Sequence, residues 1–221
     1  MLKEFTETVL LLVTGLFPII NPIASAIIVL SLFPQAAPAE RTELAWRITV
    51  NSFAILLCSL LIGAYVLSFF GISIPVLRVA GGLVIGMAGW NLLQKPDDDS
   101  GDEKQAIQAR HPHESLAGKA FYPLTLPLTV GPGSIAVAIA LGTGSPHEGP
   151  SAGHFLGVGV ALIILCASIY ICVRFAGELE KLLGAVGTQV AMRLFAFVIF
   201  CIGVQLLWLG LSDLLASVPG K

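Results

Sequence analysis

Two short stretches carry the residues that could do chemistry, and both are built on proline: Phe17-Pro18-Ile19-Ile20-Asn21-Pro22 and Leu126-Pro127-Leu128-Thr129-Val130-Gly131-Pro132-Gly133-Ser134. Each lies inside an apolar run. Proline lacks an amide proton and crowds the preceding turn, at about 3 kcal/mol in a helix interior, so a helix through either stretch is expected to break. Asn21 followed by Pro22 also reads as a helix start, with the Asn side chain as N-cap and proline at the first helical position. Gly131 and Pro132 take the same two places in the second stretch. A restarted helix offers unpaired N–H groups and about half a positive charge at its first turn, which together hold anions. Asn21, Ser25, Thr125, Thr129 and Ser134 add short hydrogen-bonding side chains, and neither break contains an acidic or basic residue. The chemistry on offer is non-covalent. A carboxylate would be held by the N-termini, and an ammonium group would be met by carbonyls that the breaks set free. A small zwitterion satisfies both, whereas a bulky lipophilic ligand would need more aromatic lining than Phe17 supplies.

No catalytic set accompanies these stretches. The histidines, at positions 111, 113, 147 and 154, fall in loops or at a segment edge, with no nucleophile or acid at usable spacing on an apolar face. His111-Pro112-His113 offers too few donors for a closed metal site. Cys58, Cys166, Cys172 and Cys201 sit in apolar runs without metal-site spacing and read as small packing residues. Asp213 is the one acid in the last apolar segment and reads as interfacial. The expectation is a protein that is not an enzyme and has no cofactor and no metal.

The elements that must position the breaks are membrane spans. With 221 residues, 56% of them hydrophobic and only 12% charged, and a mean hydropathy of +0.88, the chain is too apolar for a soluble domain of this size. A net charge of −2 leaves no basic patch for a nucleic acid. Six apolar segments can be marked, at about 5–33, 47–70, 74–94, 119–144, 153–175 and 188–214. Each reaches the ~20 residues that a spanning helix requires. The first, at about 43 Å if unbroken, exceeds the bilayer core and has room for an interruption. Trp46, Trp90 and Trp208 lie near segment ends, where an amphipathic ring favours the interface. Residues 1–7 carry one lysine and two glutamates rather than a basic leader, so the first segment is expected to stay in the mature protein. Nine of the twelve basic residues fall in or beside the loops after segments one, three and five, and only Lys3, Arg78 and Lys221 fall on the other side. Positive charge is retained in the cytoplasm, so both termini are expected outside, in the periplasm.

The polar stretch 95–118 reads as a solvated cytoplasmic linker, dividing the chain into three-span halves at 1–94 and 119–221. With three spans each, the halves must enter the membrane in opposite senses. They also match in detail: the two proline breaks correspond, and Leu77-Arg78-Val79-Ala80-Gly81 resembles Met192-Arg193-Leu194-Phe195-Ala196. Such weak internal similarity is the mark of an inverted repeat. The fold expected is all-α, with six transmembrane helices in two inverted repeats and helices one and four broken near the midplane. Arg78 and Arg193 would lie at opposite faces of the membrane. Each could gate one side of a central cavity by pairing with carbonyls or an acid, or snorkel at the interface and set topology. Gly81, Gly82, Gly86 and Gly89 in segment three, and Gly157 and Gly159 in segment five, supply small-residue faces for close helix contact.

Asn21-Pro22, Arg78-Val79-Ala80-Gly81-Gly82, Pro127 with Gly131-Pro132-Gly133, and Gly203-Val204-Gln205 together resemble the MarC family of bacterial inner-membrane proteins, also called the neutral amino acid transporter family. The likeness covers all six segments. It places the chain near the amino-acid exporter superfamily, which includes lysine exporters. It implies a six-helix secondary transporter in the cell inner membrane, moving small neutral amino acids such as alanine or glycine by alternating access, coupled to Na⁺ or H⁺. The chain departs from the family pattern after the first break: Asn21-Pro22-Ile23-Ala24-Ser25-Ala26-Ile27 stands where the family has Asn-Pro-x-Gly-Asn-Ala-Pro. Substrate-binding residues would be Asn21, Pro22, Ser25, Thr129, Gly131, Pro132, Gly133 and Ser134. Pro18, Pro127, Arg78 and Arg193 would gate or shape the path. A transporter or channel for another small solute, and a non-transporting scaffold whose prolines only shape the bundle, are the alternatives. Self-association into a homo-oligomer is left open.

Overall fold

The apolar runs become helices, because a backbone in lipid has to satisfy its own hydrogen bonds. The computed structural model describes residues 2–94, 116–142 and 152–217, and among these no strand occurs. Segment one forms α1 (Leu2–Ile20) and α2 (Pro22–Leu32). Segment two is α3 (Pro38–Phe69), which starts with proline at its first turn and Glu40 accepting the Ala37 N–H at 2.9 Å. Phe70-Gly71 turns the chain, with Gly71 at a φ of 72° that suits glycine, into α4 (Ile74–Gln94). Segment four opens on the short α5 (Leu116–Lys119), continues through an irregular wide-turned stretch, Ala120–Thr129, and restarts as α6 (Pro132–Gly142). Segments five and six are α7 (Ala152–Arg174) and α8 (Ala176–Ala216).

These elements pack in three layers. α3 pairs with α7 on one side, α4 pairs with α8 on the other, and the two interrupted spans lie between them. α1 and α2 rest on α7, while Ala120–Thr129 and α6 rest on α3. On the far side α6 meets α4, and α2 meets α8. Exchanging the first three spans for the last three reproduces this list of neighbours. The outer pairs barely touch each other, with minor contact between α7 and α8. Burial follows: half of the apolar window of the first span is enclosed, against 22% for α4. Leu12, Leu16, Ile20, Leu56, Leu124, Leu162 and Ile169 fill the interior, and Met87, Phe197 and Trp208 lie exposed on α4 and α8. Such outward apolar side chains are tolerable only with lipid as solvent.

Several boundaries differ from the sequence reading, each for a local reason. Pro18 does not end a helix, because α1 runs through it to Ile20 and the interruption is confined to Asn21. Leu2–Leu30 counts as one 29-residue span, kept in line by α7, which supports both of its parts. In segment four no regular half-helix precedes the break. Tyr122 and Leu126 are extended, with φ of −126° and −107°. Each precedes a proline, Pro123 or Pro127, and a pre-proline residue is pushed out of the helical region. Both X-Pro bonds are cis. The parts on either side of this break meet at 64°. α8 begins well before position 188, bending at Gly184, whose φ of 64° a side chain would resist. Arg193 therefore lies inside the Val186–Ala216 span rather than at its end. Cys58 and Cys201 face outward, and only Cys166 and Cys172 are packed. Gly157 lies against Thr8 and the Phe5 carbonyl as a packing glycine should, but Gly159 meets nothing within 4 Å. Residues 95–115, with His111 and His113, and His147 lie outside the described residues.

Candidate functional site

Asn21 builds the first break. It adopts φ 44° and ψ 68°, the left-handed conformation that asparagine tolerates better than other non-glycine residues. From there its Oδ1 accepts the Ala24 N–H at 3.2 Å and its carbonyl accepts the Ser25 N–H at 3.0 Å. Ala24 is thereby diverted from the Ile20 carbonyl, which instead accepts a hydrogen bond from Ser25 Oγ at 3.3 Å. Pro22 has no N–H to place at the first helical position of α2.

The second break is built differently, because Gly131 is outside the left-handed region and has no side chain with which to cap α6. The Gly131 carbonyl accepts the Ile135 N–H at 3.1 Å and Ser134 Oγ at 2.9 Å. Before it, hydroxyls compensate for the irregular backbone. Thr125 Oγ1 donates to the Ala120 carbonyl at 2.7 Å and Thr129 Oγ1 to the Leu124 carbonyl at 2.8 Å, five residues back as in the Ser25 bond.

The two interrupted spans pack on each other. α1 packs on α6, Gly15 against Leu141, and α2 packs on Ala120–Thr129. Asn21, Pro22, Ser25, Thr129 and Ser134 are buried, together with Thr125, and Gly131 and Gly133 are half-buried. Pro127 and Pro132 are exposed. With their side chains between 0 and 6% exposed, the polar residues of the breaks are sealed in this conformation. An open depression of about 440 Å³ lies elsewhere, at the α2–α3 turn between Phe33, Pro34, Glu40 and Leu44.

Arg78 and Arg193 are not at the breaks. Arg78 Nη1 pairs with Asp213 Oδ2 at 2.6 Å, joining the first turns of α4 to the last turns of α8. Arg193 Nη1 donates to the Leu93 carbonyl at 3.0 Å, near the opposite end of the same helix pair. Asp213 is thus an ion-pair partner and not simply an interfacial acid.

Sequence reasoning missed the contribution of α3. Asn51 Nδ2 lies 3.5 Å from Thr125 Oγ1, a long contact that ties α3 to the second break. The hydroxyls of Thr49 and Ser52, one turn apart on α3, are buried with no protein partner. The signal was present as Thr49, Asn51 and Ser52 inside an apolar span, where polar side chains are costly unless satisfied. Among the described residues no group of three or more His, Cys, Asp or Glu side chains is arranged to hold a metal ion.

Fold and site together define a multi-pass α-helical membrane protein whose two interrupted spans are enclosed between helix pairs, a transporter-like build. The chain belongs to the MarC family of integral membrane proteins, whose family model matches residues 6–215. Proteins named "UPF0056 inner membrane protein MarC" from Salmonella typhimurium, Citrobacter koseri and Escherichia coli O1:K1 are each 32% identical to it, with 91% of this chain and 93% of the relative covered. No solved structure matches it significantly.

Proposed function

We propose that the protein is a secondary transporter of small neutral amino acids, alanine-like or glycine-like, in the cell inner membrane. The observation that supports this reading is the pair of helix restarts, Asn21-Pro22 and Gly131-Pro132, in two enclosed spans that pack on each other. A substrate carboxylate would take the first-turn N–H groups of α2 and α6, and its ammonium group would take carbonyls and hydroxyls at Thr125, Thr129 and Ser25. Pro18 and Pro127 shape the approach to the two breaks. Because the polar groups are sealed, one face of the site must open for loading and the other for release, which is alternating access. A Na⁺ or H⁺ gradient supplies the drive, and the termini lie in the periplasm by the placement of basic residues.

Counterflow in proteoliposomes with labelled alanine and glycine tests this. Saturable exchange that Asn21→Ala and Thr129→Val both weaken at least tenfold supports it. Absence of exchange for either amino acid, with folded protein in the vesicles, rejects the substrate class and leaves another small solute or a scaffold.

A further inference from the structure

We propose that α4 and α8 form one rigid arm that moves as a unit against the α3–α7 pair, with Arg78, Asp213 and Arg193 as the positioning residues that clasp its two ends. This goes beyond the transport reading and does not depend on which solute is carried. It also excludes a role for Arg78 and Arg193 as gates that part α4 from α8.

Inside the arm, backbone meets backbone. A Cβ on Gly82 would stand 2.5 Å from the Leu207 nitrogen and 2.7 Å from the Gly203 carbonyl oxygen, and Gly203 lies directly on Gly86. One on Gly89 would be 2.9 Å from the Ala196 carbonyl oxygen, and one on Gly210 2.7 Å from that of Pro75. Close backbone contact therefore runs along α4 from Pro75 to Gly89 and along α8 from Ala196 to Gly210. Parting them would give up close packing that no side-chain rearrangement could refill. The ends are closed by the Arg78–Asp213 ion pair and by Arg193 on the Leu93 carbonyl, where a cation also complements the negative helix C-terminus.

Outside the arm, attachment is of another kind. α4 touches α6 through individual side chains, Ile85 against Gly133 and Ala136 against Gly81. α8 touches α2 and, more lightly, α1 and α7, while α3 and α7 hold the opposite faces of the broken spans. Side-chain seams of this sort can slide by small shear, whereas the close backbone seam of the arm would lose more packing by sliding. The shearing surface passes the first turn of α6, so its movement would uncover the second break.

Distances between spin labels in liposomes test this without any transported solute, in a full-length chain with the four cysteines replaced by alanine. Labels at Val76→Cys and Leu215→Cys, near the Arg78–Asp213 clasp, and at Met87→Cys and Val204→Cys should each give one narrow distance. Met87→Cys paired with Ile62→Cys on α3 should give a broad or two-component distribution. Asp213→Asn should broaden the 76–215 distance, and the exchange Arg78→Asp with Asp213→Arg should restore it. Two distances for the 76–215 pair in the otherwise native arm would make the ion pair a gate and overturn the proposal. So would an 87–62 distribution as narrow as 87–204. If alanine and glycine leave every distance unchanged while the arm pattern holds, the substrate reading is weakened and the arm is not.

Discussion

Ile85 of α4 lies on Gly133 in the first turn of α6 so closely that a Cβ added to the glycine would stand 2.7 Å from Ile85 Cγ1. That contact joins a lipid-side helix to the turn that restarts the fourth span. Gly133→Ala gains up to about 1 kcal/mol of helix propensity but must displace a side chain that is only 2% exposed, which costs about 1–3 kcal/mol. Net destabilisation is expected. It should shrink in an Ile85→Ala background, and thermal unfolding in detergent, read as a double-mutant cycle, measures the difference. Equal effects in both backgrounds would deny the contact.

Asn21 does two jobs that separate substitutions can distinguish. Asn21→Gly keeps a residue that accepts φ 44° and loses only the side-chain cap, at a few tenths of a kcal/mol. Asn21→Ala loses the cap and strains the left-handed backbone, for about 2 kcal/mol or more. The midpoint of unfolding should therefore fall in the order native, glycine, alanine.

Glycines that look alike in sequence should behave differently. Gly203→Ala drives a Cβ into the Gly86 backbone and should destabilise the α4–α8 pair by several kcal/mol, because neither backbone can yield. Gly159→Ala, with open space around it, should be neutral or stabilising by up to about 1 kcal/mol. Parallel melting curves of the two variants decide this.

Orientation has a direct readout. In a cysteine-free background, a cysteine at Gln35, in the exposed α2–α3 turn, should react with a membrane-impermeant thiol reagent only from the cytoplasmic side. One at Ser217 should react only from the periplasm. The reverse pattern would invert the topology inferred from lysine and arginine placement.

Much of this architecture was legible because its causes are local. Apolar run length marks the spans, and Asn21-Pro22 and Gly131-Pro132 mark helix starts by chemistry that acts within four residues. Pro123 was equally visible, yet its consequence was not. Spaced four residues before Pro127, it adds a second pre-proline position in extended backbone, and together the two prolines replace the expected half-helix with Ala120–Thr129. Pro18 erred the other way, since a proline alone cannot tell a break from a helix that neighbours hold straight.

By itself the sequence determined that this is an all-helical membrane protein and that helices restart at Pro22 and Pro132, because hydropathy and proline act along the chain. Only the tertiary structure decided who lies beside whom: Asn51 at Thr125, Asp213 on Arg78, Arg193 at Leu93, and the broken spans enclosed between two pairs. In lipid every helix is equally apolar, so hydrophobicity cannot choose partners. The choice falls to the fit of glycine against backbone and of one polar group against another, which no linear pattern records.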